Sequence, residues 1–363
     1  MKKELLTRTE CQVLRGLAII GIFLHNYCHW LGLAVKENEY QYFQHNVDWL
    51  KEVCFSRPDE YLPIHLLSFF GHYGVPVFLF LSAYGLTRKY ETVTVGKRVF
   101  VRYHFLKLFK MMVVGFVAFT ILDAITPNPH TYAFVDVLGQ LLMLNNVFPM
   151  PDKVIWPGPY WFFGLMLQLY VVYRLLLYRR HWAWTVALMS LCVLLQLLFN
   201  PEGEALNRYR YNFMGGMLPF GMGLLYARYG LTWMRRELSG GVWLLCTLLF
   251  IGLIAVFSNG MLLWTLAPAI VCIASVSAVK ALSSFACAKP LVSLLCWMGK
   301  ISAALFVCHP ILRKVFIPIS QRGDVYTGLL LYVVSSVCVA FLFRWLLQKM
   351  PNPSLTSNPQ LRA

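Results

Sequence analysis

Charge is what this chain has least of. Only 13% of its 363 residues are Asp, Glu, Lys or Arg, and the acidic ones number 16 against 32 basic ones. An ordinary soluble domain carries about 25% charged residues. Because 58% of the chain is apolar, too little polar material remains to coat a water-facing surface. A soluble enzyme and a disordered chain are both excluded. The ten cysteines form no CxxC pair and no Cys/His ligand spacing, which argues against zinc ribbons and disulfide frameworks. Cys54, nearly alone in a polar loop, reads as a free thiol. No long soluble region, internal repeat or low-complexity tract marks a second domain. The reading is one integral membrane domain over 1–350 and a short, polar, disordered cytoplasmic tail over 351–363.

What is there instead is length in apolar runs. A spanning helix needs about 20 mostly apolar residues. Ten segments qualify: 13–35, 63–86, 106–126, 159–178, 182–199, 212–228, 241–257, 261–280, 293–317 and 327–347. The fold expected is an all-α polytopic membrane protein with about ten transmembrane helices. The first run is too long for a signal-peptide core and holds Arg15, His25 and His29, so it is expected to be retained. A further stretch, 134–148, is shorter and holds Asp136, Asn145 and Asn146, which suits one short re-entrant or interfacial helix.

The basic excess then has a topological meaning and needs no nucleic acid. Cytoplasmic loops of membrane proteins collect Lys and Arg. The connection after the second run holds Arg88, Lys89, Lys97, Arg98, Arg102, Lys107 and Lys110 against Glu91 alone. Arg179 with Arg180, then Arg228, Arg235 and Arg236, then Lys280 and Lys289, then Lys349 mark later turns. Assigning all of these to the cytoplasm puts both termini inside. Residues 36–62, rich in Asp and Glu, then face outward. Arg208, Arg210, Arg313 and Arg322 are exceptions to this scheme.

Ionisable groups inside a membrane are costly, so each is a functional candidate. Arg15 lies near the basic edge of the first run. His25 is ten residues further on, about 15 Å deeper at 1.5 Å per residue. The two side chains are roughly 80° apart around the helix, on adjoining faces. Arg15 alone also reads as a snorkelling anchor, and His29, beside Trp30, as an interfacial residue. His25 and His29 share a face at i, i+4, but no third ligand is evident, so no metal is expected. His72, Ser82, Tyr160, Trp161 and His309 are further polar or aromatic candidates set in apolar surroundings. The stretch Lys97–Arg102 fits a basic amphipathic surface segment equally well.

In order, these elements resemble the membrane acyltransferase-3 family. Leu14-Arg15-Gly16-Leu17 through His25 is similar to its opening element. Gly74-Val75-Pro76-Val77-Phe78-Leu79-Phe80-Leu81-Ser82-Ala83-Tyr84 resembles its second-span motif, with Ala83 where Gly is usual. Trp161 through Gln168-Leu169-Tyr170 resembles a third element, with Met166 and Leu167 where some members carry acids. Gly299-Lys300-Ile301-Ser302 through His309 resembles the last. The resemblance covers nearly the whole chain and implies the stand-alone form, without a fused SGNH domain.

What the resemblance implies is a multi-pass O-acyltransferase of the bacterial inner membrane. It would move an acyl group, most simply acetyl, from cytoplasmic acyl-CoA to a hydroxyl of a glycan or lipid-linked glycan. Acyl-CoA would be a co-substrate, with no tightly bound cofactor. Partners would be the lipid bilayer, that acceptor and other envelope-biosynthesis proteins. His25 would be the catalytic residue, as general base or as transient acyl carrier, with Arg15 orienting it or the CoA. Arg98, Arg102 and Lys107 would contact CoA phosphates. His72, Ser82, Tyr160, Trp161 and His309 would position the acceptor. The competing readings are a transporter or flippase of an envelope precursor, and a non-catalytic subunit of an envelope complex.

Overall fold

The computed structural model describes residues 5–233 and 238–355. Arg235, Arg236 and most of the expected tail therefore lie outside the described residues. Every regular element among the described residues is helical. The α-helices are α1 (Arg8–Cys28), α2 (Gln44–Lys51), α3 (Leu62–Phe70), α4 (Gly74–Tyr90) and α5 (Lys97–Ile125). Then come α6 (Phe134–Leu141), α7 (Pro151–Val154), α8 (Trp161–Val172), α9 (Trp182–Gln196) and α10 (Glu204–Tyr211). The last are α11 (Phe213–Trp233), α12 (Gly240–Phe257), α13 (Met261–Ser284), α14 (Lys289–Gln321) and α15 (Val325–Lys349). Among the described residues, eight stretches are long and apolar enough to cross a bilayer, counting α3 and α4 as one through the 3-10 turn Gly71–Tyr73. The other two expected spans are helical as well. One, α9, is only 15 residues long, and α11 packs between α4 and α9. The chain is a multi-pass, all-α membrane protein.

Helix ends differ from the apolar runs for local reasons. The first helix starts earlier than its run because Thr7 and Glu10 form a reciprocal capping box, each side chain accepting from the other's backbone N–H at 3.1 and 2.7 Å. It also stops sooner, at Cys28. Leu31, Ala34 and Val35 are fully buried, but in a folded loop whose carbonyls at His29 and Leu31 accept from the Lys36 ammonium. Hydropathy does not separate a buried loop from a helix. Similarly, Lys97–Arg102 forms the first turns of α5 and is not a separate surface helix. The segment 134–148 holds the eight-residue α6 and a 3-10 turn at Asn145–Val147. Eight residues rise about 12 Å, far short of a bilayer core.

Hydrogen bonds between connections show that the helices alternate in direction. At one end, Arg228 pairs with Glu91, Arg179 Nε donates to the Glu91 carbonyl at 3.0 Å, and Lys280 pairs with Glu10 at 2.8 Å. Lys110 Nζ donates to the Met350 carbonyl there at 2.9 Å. At the opposite end, Trp264 Nε1 donates to the Asn38 carbonyl at 2.7 Å. There too Tyr42 N–H donates to the Pro201 carbonyl at 2.9 Å, and Asn207 Nδ2 to Asp152 at 3.0 Å. The first end carries the basic connections and is called the basic end below.

The outer helices face lipid. On α12, Leu245 is 67% exposed and Leu248 60%. The first helix is central, against α14, α3, α4 and α13. Apolar side chains gain little by leaving lipid for protein, so small residues that let backbones approach matter more. A Cβ on Gly16 would lie 1.9 Å from the Leu295 carbonyl oxygen, and one on Gly299 would lie 2.0 Å from that of Gln12. The α1–α14 seam therefore has no room for a side chain at either point. Gly299→Val should cost about 1–3 kcal/mol through overpacking and lower the melting temperature of the detergent-solubilised protein. Gly241→Ala, on the open side of α12 with no atom within 4 Å, should leave it unchanged. Thermal unfolding of both variants by light scattering checks this, and equal melting temperatures would refute the seam's importance.

Candidate active site

Three cavities lie in a row through the helix bundle. The first, about 410 Å³, opens at the basic end and is lined by Lys107, Lys110, Lys300, Arg344 and Asn352. The second, about 210 Å³, is mostly apolar, with Phe78, Leu81, Leu108 and Met166 beside Arg15, Ser82, Tyr170 and Ser302. Lys107, Met111 and Ala303 line both, so the two adjoin. The third, about 320 Å³, belongs to the opposite end and holds His25. It shares Ile22, Phe162 and Phe306 with the second cavity. These three apolar side chains form a septum between the Arg15 compartment and the His25 compartment.

His25 is 2% exposed and lies near the end of α1. Its Nδ1 is 2.8 Å from the Ser68 carbonyl oxygen. A carbonyl only accepts, so Nδ1 carries the proton and Nε2 keeps its lone pair. That Nε2 is 3.9 Å from a Glu39 carboxylate oxygen. The His29 ring lies 4.7 Å from the His25 ring, and its Nδ1 donates to Glu37 Oε1 at 3.0 Å. The 3-10 turn Gly71–Tyr73 brings His72 within 5.6 Å, ring to ring. Arg313, from α14, lies over the Trp30 ring at 4.6 Å and reaches the Asn26 carbonyl at 3.3 Å. Trp30, Trp156, Trp161, Tyr40 and Tyr211 supply aromatic walls, with Asp152, Gln41 and Asn207 among them. Flat apolar faces interleaved with carboxylates and amides suit a polyhydroxylated ligand.

The expected site residues divide between compartments. Arg15, Ser82 and Lys107 line the second cavity, and His25, His72 and Trp161 the third. Ser82 Oγ donates to the Phe78 carbonyl at 2.7 Å, within its own helix. Arg98 and Arg102 are exposed at the start of α5 and line none of the three cavities. Tyr160 is turned away, because its hydroxyl donates to the Val307 carbonyl at 2.8 Å and its side chain is buried. His309 lies behind the septum, its Nδ1 3.2 Å from the Leu305 carbonyl and its ring 5.8 Å from Phe306. The expectations did not include Glu37, Glu39, Arg313, Lys300 and Arg344 in the site. Lys300 had a signal, since it sits within the Gly299–Ser302 element. The acids follow α1 through a loop whose shape no periodicity reveals. Glu37 also brings to His25 and His29 the third metal-binding group that their spacing lacks, with one ligand atom of each within 4.8 Å of the others.

The bundle thus holds a mostly apolar compartment with Arg15 and a polar, aromatic one with His25, one on each side of an apolar septum. The chain belongs to the acyltransferase-3 family, whose acyltransferase domain matches residues 9–347. It is therefore a membrane acyltransferase. No curated protein and no solved structure matches it.

Two carboxylates in the third compartment differ in charge state. Burial raises the Glu37 carboxyl, but the His29 ring and its hydrogen bond, with His25, outweigh this and hold it below the usual carboxylate range. Burial, then the Glu37 charge, pushes Glu39 up to about 8 from 4.5. Between those two values the folded chain binds a proton at Glu39 that the unfolded chain has lost, so stability falls as pH rises across that window. Glu39→Gln should abolish this part of the dependence. Melting curves from pH 5 to 8 check it: the wild type should lose more stability than the variant, and parallel curves would contradict the assignment.

Proposed function

We propose that this protein transfers a short acyl group, acetyl in the simplest case, from cytoplasmic acyl-CoA to a hydroxyl of a glycan or lipid-linked glycan on the far side of the membrane. The observation that carries the reading is the row of cavities, basic, then apolar, then aromatic and acidic, ending at His25. CoA is an anionic nucleotide on a long neutral arm. Lys107, Lys110, Lys300 and Arg344 suit its phosphates, and the second cavity suits the pantetheine arm with a small acyl group. Arg15 then steadies the arm or its carbonyl groups. The third compartment takes the sugar, with Trp161 and its neighbours stacking and His72 close to the reacting oxygen. The positive-inside bias turns the basic end and both termini to the cytoplasm of the bacterial inner membrane.

Two chemical courses fit the free Nε2 of His25. As general base it takes the proton of the acceptor hydroxyl while that oxygen bonds to the acyl carbon and the C–S bond breaks, CoA leaving as thiolate. As carrier it first takes the acyl group itself, releases CoA, and then passes the group to the hydroxyl. The septum has to open in either case for thioester and acceptor to meet.

Purified protein supplied with labelled acetyl-CoA, with and without a glycan acceptor, tests the reading through CoA release. His25→Ala should lower the acceptor-dependent rate by about 10²–10⁴-fold, and an unchanged rate in a folded variant would sink the assignment. Glycan movement without thioester consumption would favour a transporter. Lys300→Ala and Arg344→Ala should each raise KM for acetyl-CoA about tenfold, as loss of one charge-assisted contact implies. The same variants should use a truncated acetyl-pantetheine as well as wild type does. An equal loss with both donors would rule out a phosphate role for these residues.

A further inference from the structure

We propose that His25, His29 and Glu37 form a binding site for one divalent first-row transition ion, Zn²⁺ by its ligand chemistry, and that loading it blocks acyl transfer. One ligand atom from each of the three lies within 4.8 Å of the others. A tetrahedral ion with bonds near 2.1 Å holds its ligands ~3.4 Å apart, so the widest pair needs to close by up to about 1.4 Å. Two imidazoles and a carboxylate with a fourth position left for water is a ligand set that zinc favours.

Two further observations point to a ligand here. Metal-binding histidines usually donate their second ring N–H to a carbonyl or carboxylate, which fixes the tautomer. His25 has that support from the Ser68 carbonyl at 2.8 Å, which leaves its Nε2 free, and His29 Nδ1 and Glu37 Oε1 already lie 3.0 Å apart, close to the ligand spacing of a tetrahedral ion. In addition, Glu37 Oε2 is buried with no hydrogen-bond partner. Buried polar atoms left unpaired are costly, and a cation held by this carboxylate supplies the missing partner. Arg313, lining the same cavity, opposes the ion and sets an upper bound on its affinity.

The consequence for activity rests on the transferase reading, whereas the binding does not. The lone pair that an ion takes at His25 is the one the proposed transfer uses. The ion arrives from the acceptor side, because the septum closes the site from the CoA side.

The test is Zn²⁺ binding to the purified, metal-stripped full chain by equilibrium dialysis, with Co²⁺ absorption as a second probe. One ion per chain is expected. His29→Ala and Glu37→Gln, each checked for a monodisperse gel-filtration profile, should bind at least tenfold more weakly. Co²⁺ in the wild type should give the intense visible bands of a four-coordinate site. No saturable binding, or unchanged binding in both variants, overturns the site. In the activity arm, Zn²⁺ should stop acceptor-dependent CoA release and a chelator should restore it. Stoichiometric binding that leaves CoA release untouched overturns the block. A wild type that binds one Zn²⁺ but never releases CoA supports the site and counts against the transferase reading.

Discussion

The hydrogen bond between His25 Nδ1 and the Ser68 carbonyl orders the His25 compartment of this protein. It fixes which nitrogen of His25 carries the proton, and so where the lone pair points. It also ties α1 to α3. Ser68 spends its hydroxyl on the Val35 carbonyl at 2.6 Å, and Val35 N–H donates to His65 at 3.3 Å. The loop that delivers Glu37 and Glu39 is thereby fastened to the same residue that orients His25. The contact depends on the absence of a side chain at Gly71, where a Cβ would lie 2.6 Å from the His25 Cβ and 2.6 Å from the Gly21 carbonyl oxygen. A bulkier residue there would push α3 off α1, and carbonyl, ring and loop would part together.

The bilayer explains why the polar groups fall into compartments. Lipid offers no hydrogen-bond partner, so polar side chains at membrane depth must face one another or a cavity. The first helix does both, presenting Arg15 to one compartment and His25 to the next, with Ile22 between them in the septum. Phe162 and Phe306 complete that barrier from α8 and α14. An apolar plug separates the polar groups of the Arg15 compartment from those around His25. The close α1–α14 seam at Gly16 and Gly299 holds the barrier's walls at fixed spacing.

Much of this was legible in the sequence because membranes impose simple rules. Twenty apolar residues announce a span, so the helical order followed from the runs, and 134–148 was too short to cross. Arg15 and His25 stood out because ionisable groups are rare in such surroundings. Less legible was everything that depends on a loop's path. Val35 looks like the end of a helix yet is a buried loop residue. Glu37 and Glu39 look like ordinary external acids until the chain folds back over His25. Tyr160 departs from expectation and Trp161 does not: they are neighbours, but α8 starts between them, so one turns to the Val307 carbonyl and the other to the cavity. Arg98 and Arg102 belong to a basic run that topology alone explains. Of the cavity-lining cations from the far end of the chain, Lys300 lies within the Gly299–Ser302 element, whereas no local pattern ties Arg344 to Lys107.

Three of the four arginines that defied the positive-inside pattern have a structural account. Arg210 donates to the Glu39 carbonyl at 2.8 Å and to Gln196 at 2.7 Å while lying over Trp264 at 4.1 Å. Arg208 donates to the Val147 carbonyl, and Arg313 to Asn26. Each fastens one of the segments that roof or wall the His25 compartment. A topological count treats charges as interchangeable, yet these act through direction, as planar donors to particular carbonyls. They also offset acids. Of only 16 acidic residues in the chain, Glu37, Glu39 and Asp152 line this one cavity. In a chain so poor in charge, three acids and an arginine gathered around one buried histidine mark that cavity off from the rest of the bundle.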